Sequence, residues 1–174
     1  MKSAIQTIIQ FGVRFDLLDQ TILQAITFFE CYMARNSNII PTFLKEIAII
    51  AVEIAIKNNE DKVLSLKECV YMIDKIGTSA EPDTNIESEK KDKFNVKMFG
   101  ALELHMLQLL HFNINVPTAL DFLLFITHKL FPQNDAQTLV RLSLPWVYFV
   151  SINYELGRGK KSSAIALAAL LHTV

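Results

Sequence analysis

Apolar side chains recur at three- and four-residue intervals along most of the chain, which is the spacing of amphipathic helices. The first such face consists of Ala4, Ile5, Ile8 and Ile9. It predicts a first helix that ends near Phe15. A second helix is predicted over Gln20–Arg35, with Asp19 as its N-terminal cap. Alternation of apolar and polar residues never lasts long enough to predict a strand, so the expected fold class is all-α.

A third helix, predicted from Phe43 to about Asn58 after Pro41-Thr42, is apolar on almost every side. Its narrow polar stripe consists of Glu46, Glu53 and Lys57. A helix with so little polar surface is expected at the centre of a bundle, surrounded by its neighbours.

The segment after the third helix contains a short helix signal and then a polar stretch. Ser65 and Glu68 have the spacing of a capping box, which predicts a fourth helix that ends at Gly77. Residues 77–95 read GTSAEPDTNIESEKKDKFN and contain almost nothing to bury. We expect this stretch to be a mobile surface loop.

Four more helices are predicted in the rest of the chain. The fifth runs from about Lys97 to His111, and Thr118 caps a sixth that ends at Phe131. The predicted seventh helix, from about Ala136 to Leu156, contains Pro145, where we expect a kink. The eighth helix is predicted to begin at the cap Ser162.

Composition narrows the class of protein. Hydrophobic residues make up 51% of the 174 residues and charged residues 20%, as in globular proteins. The net charge of −1 provides no basic excess for nucleic-acid binding. No uncharged apolar stretch reaches the ~18 residues of a membrane span. Cys31 and Cys69 form no metal or redox motif, so reduced thiols in a nuclear or cytoplasmic protein are expected.

No catalytic, metal or cofactor motif is present. The run Gly157–Ser163 contains Gly-Lys but has Tyr154 where a phosphate loop needs glycine. Glu-x-x-His pairs, which hold metals in helix bundles, do not occur. We therefore expect no catalytic residues, no bound metal and no cofactor, and the protein is not expected to be an enzyme.

Glu103 lies on the apolar flank of the fifth predicted helix. At 100° per residue, Leu107 and Leu110 lie within about 40° of it. A carboxylate in that position needs a positive partner. Lys57 is the candidate, although an i→i+4 pair of Lys57 with Glu53 would explain the lysine equally well and leave Glu103 alone.

Three segments carry a resemblance to the cyclin family. AVEIAIKNNE resembles the cyclin motif in which a lysine ends the third helix. LELHMLQLLHFNINVPT is similar to the fifth-helix motif that precedes the second repeat, and CVYMID is similar to part of the fourth helix. The resemblance implies a five-helix cyclin repeat over residues 1–116, followed by an incomplete second helical repeat over residues 117–174. If the chain continues, two or three more helices would complete that repeat.

The resemblance also implies a function. In cyclins the matching lysine and glutamate lie side by side and contact the C-helix region of a cyclin-dependent protein kinase. The residues implied to bind the kinase are Lys57, Glu103, Ile54, Leu107, Phe112 and Ile114. The alternatives are a cyclin-box scaffold in transcription and a helical interaction domain without a kinase partner.

Several positions depart from the family pattern. Many cyclins begin the first helix with Met-Arg-Ala-Ile-Leu, where this chain has residues 2–6, Lys-Ser-Ala-Ile-Gln. Ile9 stands where they have tryptophan, and Ser3 and Glu30 stand where they have a buried Arg–Asp pair. Substrate docking through the first helix is therefore not expected. Glu53 replaces a usual apolar residue and competes with Glu103 for Lys57.

Overall fold

A computed structural model describes residues 2–36, 43–61, 65, 68–69, 96–157 and 159–174. The helices in these ranges are α1 Lys2–Arg14, α2 Asp19–Arg35, α3 Leu44–Asn59, α4 Val96–Leu109, α5 Ala119–Leu130, α6 Gln133–Ile152, α7 Tyr154–Gly157 and α8 Ser162–Thr173. The described residues contain no strand, so the all-α prediction is confirmed. Helix α4 corresponds to the fifth predicted helix.

The start of the fourth predicted helix is described, and the rest of it is not. The Ser65 amide donates to the Glu68 carboxylate at 2.8 Å, and the Glu68 amide donates to the Ser65 hydroxyl at 3.3 Å. These reciprocal bonds confirm the predicted capping box. The end of that helix, the polar stretch 77–95 and Pro41-Thr42 lie outside the described residues.

Helix α3 occupies the centre of the first half of the chain. Every residue from Ile47 to Ile56 is buried, because α1, α2 and α4 pack around this helix. The largest side chains that those three helices bury are Phe11, Phe28, Phe29, Tyr32, Phe99 and Met106. The central position predicted from the apolar composition of α3 is therefore confirmed.

The predicted helix caps have different outcomes. The Thr118 hydroxyl accepts from the Asp121 amide, and the Asp121 carboxylate accepts from the Thr118 amide, so the α5 cap is confirmed. The predicted caps Asp19 and Ser162 are wrong, because both are the first residues of their helices and neither helix has a side-chain cap. The Asp19 carboxylate instead accepts a hydrogen bond from Tyr148 at 2.6 Å.

Helices α5, α6 and α8 pack against one another, and the second half is joined to the first by polar contacts at the start of α2. The Gln20 amide donates to both carboxylate oxygens of Asp121, at 3.1 and 3.0 Å.

The predicted seventh helix is two helices, because α6 ends at Ile152 and the short α7 follows. Pro145 lies inside α6.

The second half leaves apolar side chains exposed on each of its three long helices, including Leu124, Phe125 and Leu130 on α5. On α6 these are Leu142, Trp146 and Phe149, and on α8 and just after it they are Leu167, Leu171 and Val174. The Trp146 ring packs edge-on against His172, with ring centroids 3.9 Å apart. Helix α8 is thus as apolar as α3 but is enclosed on one side only within the described structure. No described helix has the length and apolar content needed to cross a membrane.

Candidate functional site

Lys57 and Glu103 meet where α3 packs against α4. Lys57 lies in the last turn of α3, and Glu103 lies in the middle of α4, 46 residues later. The Lys57 ammonium donates to Glu103 Oε1 at 2.8 Å. Glu103 therefore has the positively charged partner expected for a carboxylate on the apolar flank of α4, and that partner is Lys57, as predicted.

Glu53 contacts the same ammonium from inside the bundle. Its carboxylate forms an i→i+4 ion pair with Lys57, and its side chain is only 1% exposed. Glu103 is 18% exposed and Lys57 41%, so the three groups run from the core to the surface. The two pairings that the sequence presents as alternatives occur together, and Glu53 does not displace Glu103.

Burial and mutual charge shift the ionisation of this cluster. Burial raises the pKa of Glu53, and the negative charge of Glu103 adds to that rise, whereas Lys57 opposes it. Burial alone would lower the pKa of Lys57, but its contacts with the two carboxylates leave that pKa raised. The neighbouring Cys69 thiol is fully buried, and burial, with a smaller contribution from Glu53, raises its pKa to about 12.

The four predicted apolar site residues differ in accessibility. Phe112 is 60% exposed, whereas Leu107 and Ile114 are partly buried against the core. Ile54 is 4% exposed and belongs to the core. It therefore has little surface area that another protein could contact. The six residues therefore lie on α3, α4 and the following link at different depths, and the contact shown among them is the Lys57–Glu103 ion pair.

Two neighbouring residues extend this surface and are missing from the sequence prediction. Leu104 follows Glu103 and is 50% exposed. At Gly100, a Cβ would meet no atom within 4 Å, so the surface is open there. One stripe of α4 beside Glu103 consists of Gly100, Leu104 and Leu107, which have i, i+4, i+7 spacing. This spacing is visible in the sequence and could have indicated the stripe.

The link after α4 begins with two residues in the left-handed region. His111 and Phe112 have φ values of 54° and 55°, and no helix resumes until Ala119. The Phe112 side chain at this turn is exposed.

A buried glutamine holds the link against the end of α3. Gln24 on α2 is 3% exposed, and its amide donates to the Ile114 carbonyl at 2.8 Å. Its side-chain oxygen accepts from Asn58 at 3.1 Å and from Asn59 at 2.6 Å. Because Asn58 directly follows Lys57, Gln24 connects the link that carries Ile114 to the turn that carries Lys57.

The first-helix positions lack the buried ion pair of the family pattern. Ser3 is exposed, and Glu30 is partly buried with no ion pair among the described residues. Burial raises the pKa of Glu30 to about 7. This part of the structure therefore provides no charged pair for docking.

The site has the character of a contact surface. The described residues contain no group of three side chains able to hold a metal ion. The ion-pair cluster presents charged groups next to the exposed Leu104 where α3 packs against α4.

Comparison with known families identifies residues 1–115 of the 174-residue chain. The model of the cyclin N-terminal domain matches residues 1–115. The chain belongs to the cyclin family. The matched range includes both Lys57 and Glu103, and the family assignment supports a cyclin-like regulatory role. A search of curated proteins finds no match.

Proposed function

We propose that this protein is a cyclin-like regulatory subunit that binds and activates a cyclin-dependent protein kinase in the nucleus or cytoplasm. The observation that carries this proposal is the Lys57–Glu103 ion pair, which joins α3 and α4 at the protein surface. Exposed Leu104 on α4 and exposed Phe112 in the link after it supply apolar contact area.

The ion pair retains hydrogen-bonding capacity for a partner. An ammonium has three donors, of which Lys57 donates one to Glu103, and its charge also pairs with Glu53. Among the described residues, Glu103 accepts from Lys57 through Oε1, which leaves Oε2 as an acceptor. A kinase segment can therefore bind Lys57 and Glu103 without breaking the bond between them.

The proposed mechanism is differential binding. A kinase whose C-helix moves between inactive and active positions shifts to the position that the cyclin surface binds better. Moving such an equilibrium from 1:99 to 99:1 takes about 5.5 kcal/mol of preference. Polar anchors surrounded by desolvated apolar contacts supply energies of that order in protein interfaces.

Co-purification with a panel of cyclin-dependent kinases tests this proposal. Wild-type protein is expected to retain one or more kinases and raise their activity, and Glu103→Ala and Lys57→Ala are expected to lose both effects. Lys45→Ala is the matched control, because Lys45 is an exposed lysine at the other end of α3. Failure of the wild-type protein to retain any kinase would refute the proposal.

A further inference from the structure

Glu53 is the one carboxylate of the cluster that lies inside the core. Its neighbours along α3, from Ile47 to Ile56, are otherwise apolar and buried. Its Oε1 forms an ion pair with the Lys57 ammonium, and neither of its buried oxygens has a hydrogen-bond donor of good geometry among the described residues. A buried carboxylate oxygen without a donor destabilises a fold, so an apolar residue would suit this position better for stability alone.

The contacts of Lys57 indicate what this carboxylate does. Lys57 has a long side chain that is 41% exposed, and an exposed lysine ordinarily samples many rotamers. Here two carboxylates hold its ammonium, one from the core and one from α4. The core contact comes from the same helix, one turn earlier, so it fixes the direction in which Lys57 leaves α3.

We propose that Glu53 is a positioning residue for the kinase contact: its buried carboxylate holds the Lys57 ammonium beside Glu103 in the geometry that a kinase binds. This inference rests on the proposed function, because it assigns a role within that same surface. The ionised form of Glu53 favours kinase binding, and the neutral form releases Lys57 to Glu103 alone.

The charges around Glu53 make this role sensitive to pH. The groups that face it are Lys57 on its own helix and Glu103 from α4, with the Cys69 thiol and Glu68 close by. Because burial raises the pKa of Glu53, this carboxyl takes up a proton at a higher pH than an ordinary glutamate does. Kinase binding is therefore expected to weaken as the pH falls through that range.

The test compares Glu53→Gln with the wild type in kinase binding between pH 5.5 and 8. At pH 8 we expect Glu53→Gln to bind about tenfold more weakly, which is the loss of one charge-assisted contact. Its affinity is also expected to lose the wild-type dependence on pH. Glu46→Gln is the matched control, because Glu46 precedes Glu53 by seven residues on α3 and also has a buried oxygen without a described donor. Any titration of the kinase itself appears equally in this control.

A second measurement needs no kinase. The ¹⁵N resonance of the Lys57 ammonium is expected to show an ordered group in the wild type and a mobile, rapidly exchanging group in Glu53→Gln. If the Lys57 signal is the same in both proteins, or if wild type and Glu53→Gln bind a kinase equally at every pH, the inference is wrong. A wild-type protein that binds no kinase contradicts the proposed function, and the ¹⁵N measurement then decides the inference separately.

Discussion

The side-chain amide of Gln24 donates a hydrogen bond to the main-chain carbonyl of Ile114, at 2.8 Å and across 90 residues of sequence. Through its other end Gln24 accepts from Asn58 and Asn59, next to Lys57. One buried side chain thus bonds to both of the stretches of chain that form the proposed kinase surface.

Gln24→Leu is expected to destabilise the protein and weaken kinase binding. The substitution keeps the volume but leaves the Ile114 carbonyl and two asparagine amides without this partner. An unsatisfied buried polar group costs about 1–3 kcal/mol. Urea denaturation measures this loss, and Gln137→Leu, at an exposed position of α6, is the control. Equal stability of Gln24→Leu and wild type would show that the network contributes nothing.

Glu53→Leu is expected to stabilise the fold even though it impairs the proposed kinase contact. The substitution removes a buried carboxylate whose oxygens lack hydrogen-bond donors, at a cost of about 1–3 kcal/mol for such a group, and Lys57 keeps its partner Glu103. The expected result is a higher urea midpoint together with a lower kinase affinity. A protein that loses stability in proportion to its affinity would indicate that Glu53 is required for folding instead.

Glu30 is expected to make stability depend on pH in the neutral range. Burial raises the pKa of this carboxyl from the ordinary 4.5 to about 7 in the folded state. The folded protein therefore binds the proton more tightly than the unfolded chain does. Ionisation of Glu30 destabilises the fold above pH 7, and this penalty disappears as the pH falls from about 7 towards 4.5.

The full effect of Glu30 is of the order of 3 kcal/mol, from about 1.4 kcal/mol per pKa unit. Glu30→Gln is expected to remove this part of the pH dependence and to be more stable than the wild type at pH 8. Urea denaturation at several pH values measures both effects, and Asp61→Asn, at an exposed position, is the control. Parallel stability curves for wild type and Glu30→Gln would contradict the expectation.

Thr118→Ala is expected to weaken the start of α5. The hydroxyl of Thr118 is fully buried and accepts from the Asp121 amide in the capping box. Loss of such a cap costs about 1 kcal/mol. Thermal unfolding measures the change, and Thr138→Ala is the control because Thr138 lies inside α6 and bonds only to the Asn134 carbonyl. A cost at Thr118 no larger than that at Thr138 would rule out an energetic role for the cap.

The local features of this protein follow from short stretches of sequence. Apolar periodicity predicts the helices, and the Ser65 and Thr118 caps are readable because each needs only a partner three residues away. The apolar composition of α3 is also sufficient to place that helix at the centre. Family resemblance adds the pairing of Lys57 with Glu103.

Tertiary structure decided the features that join distant residues. Asp19 stands where the sequence predicts a helix cap, but its carboxylate accepts a hydrogen bond from the hydroxyl of Tyr148, 129 residues later. Local spacing could not choose between Glu53 and Glu103 as the partner of Lys57, because only the packing of α3 on α4 brings both within reach. Likewise, no sequence pattern around Gln24 predicts its hydrogen bond to the Ile114 carbonyl. Helix formation depends on neighbours within a few residues, whereas the partner of a buried polar group depends on which helices pack together.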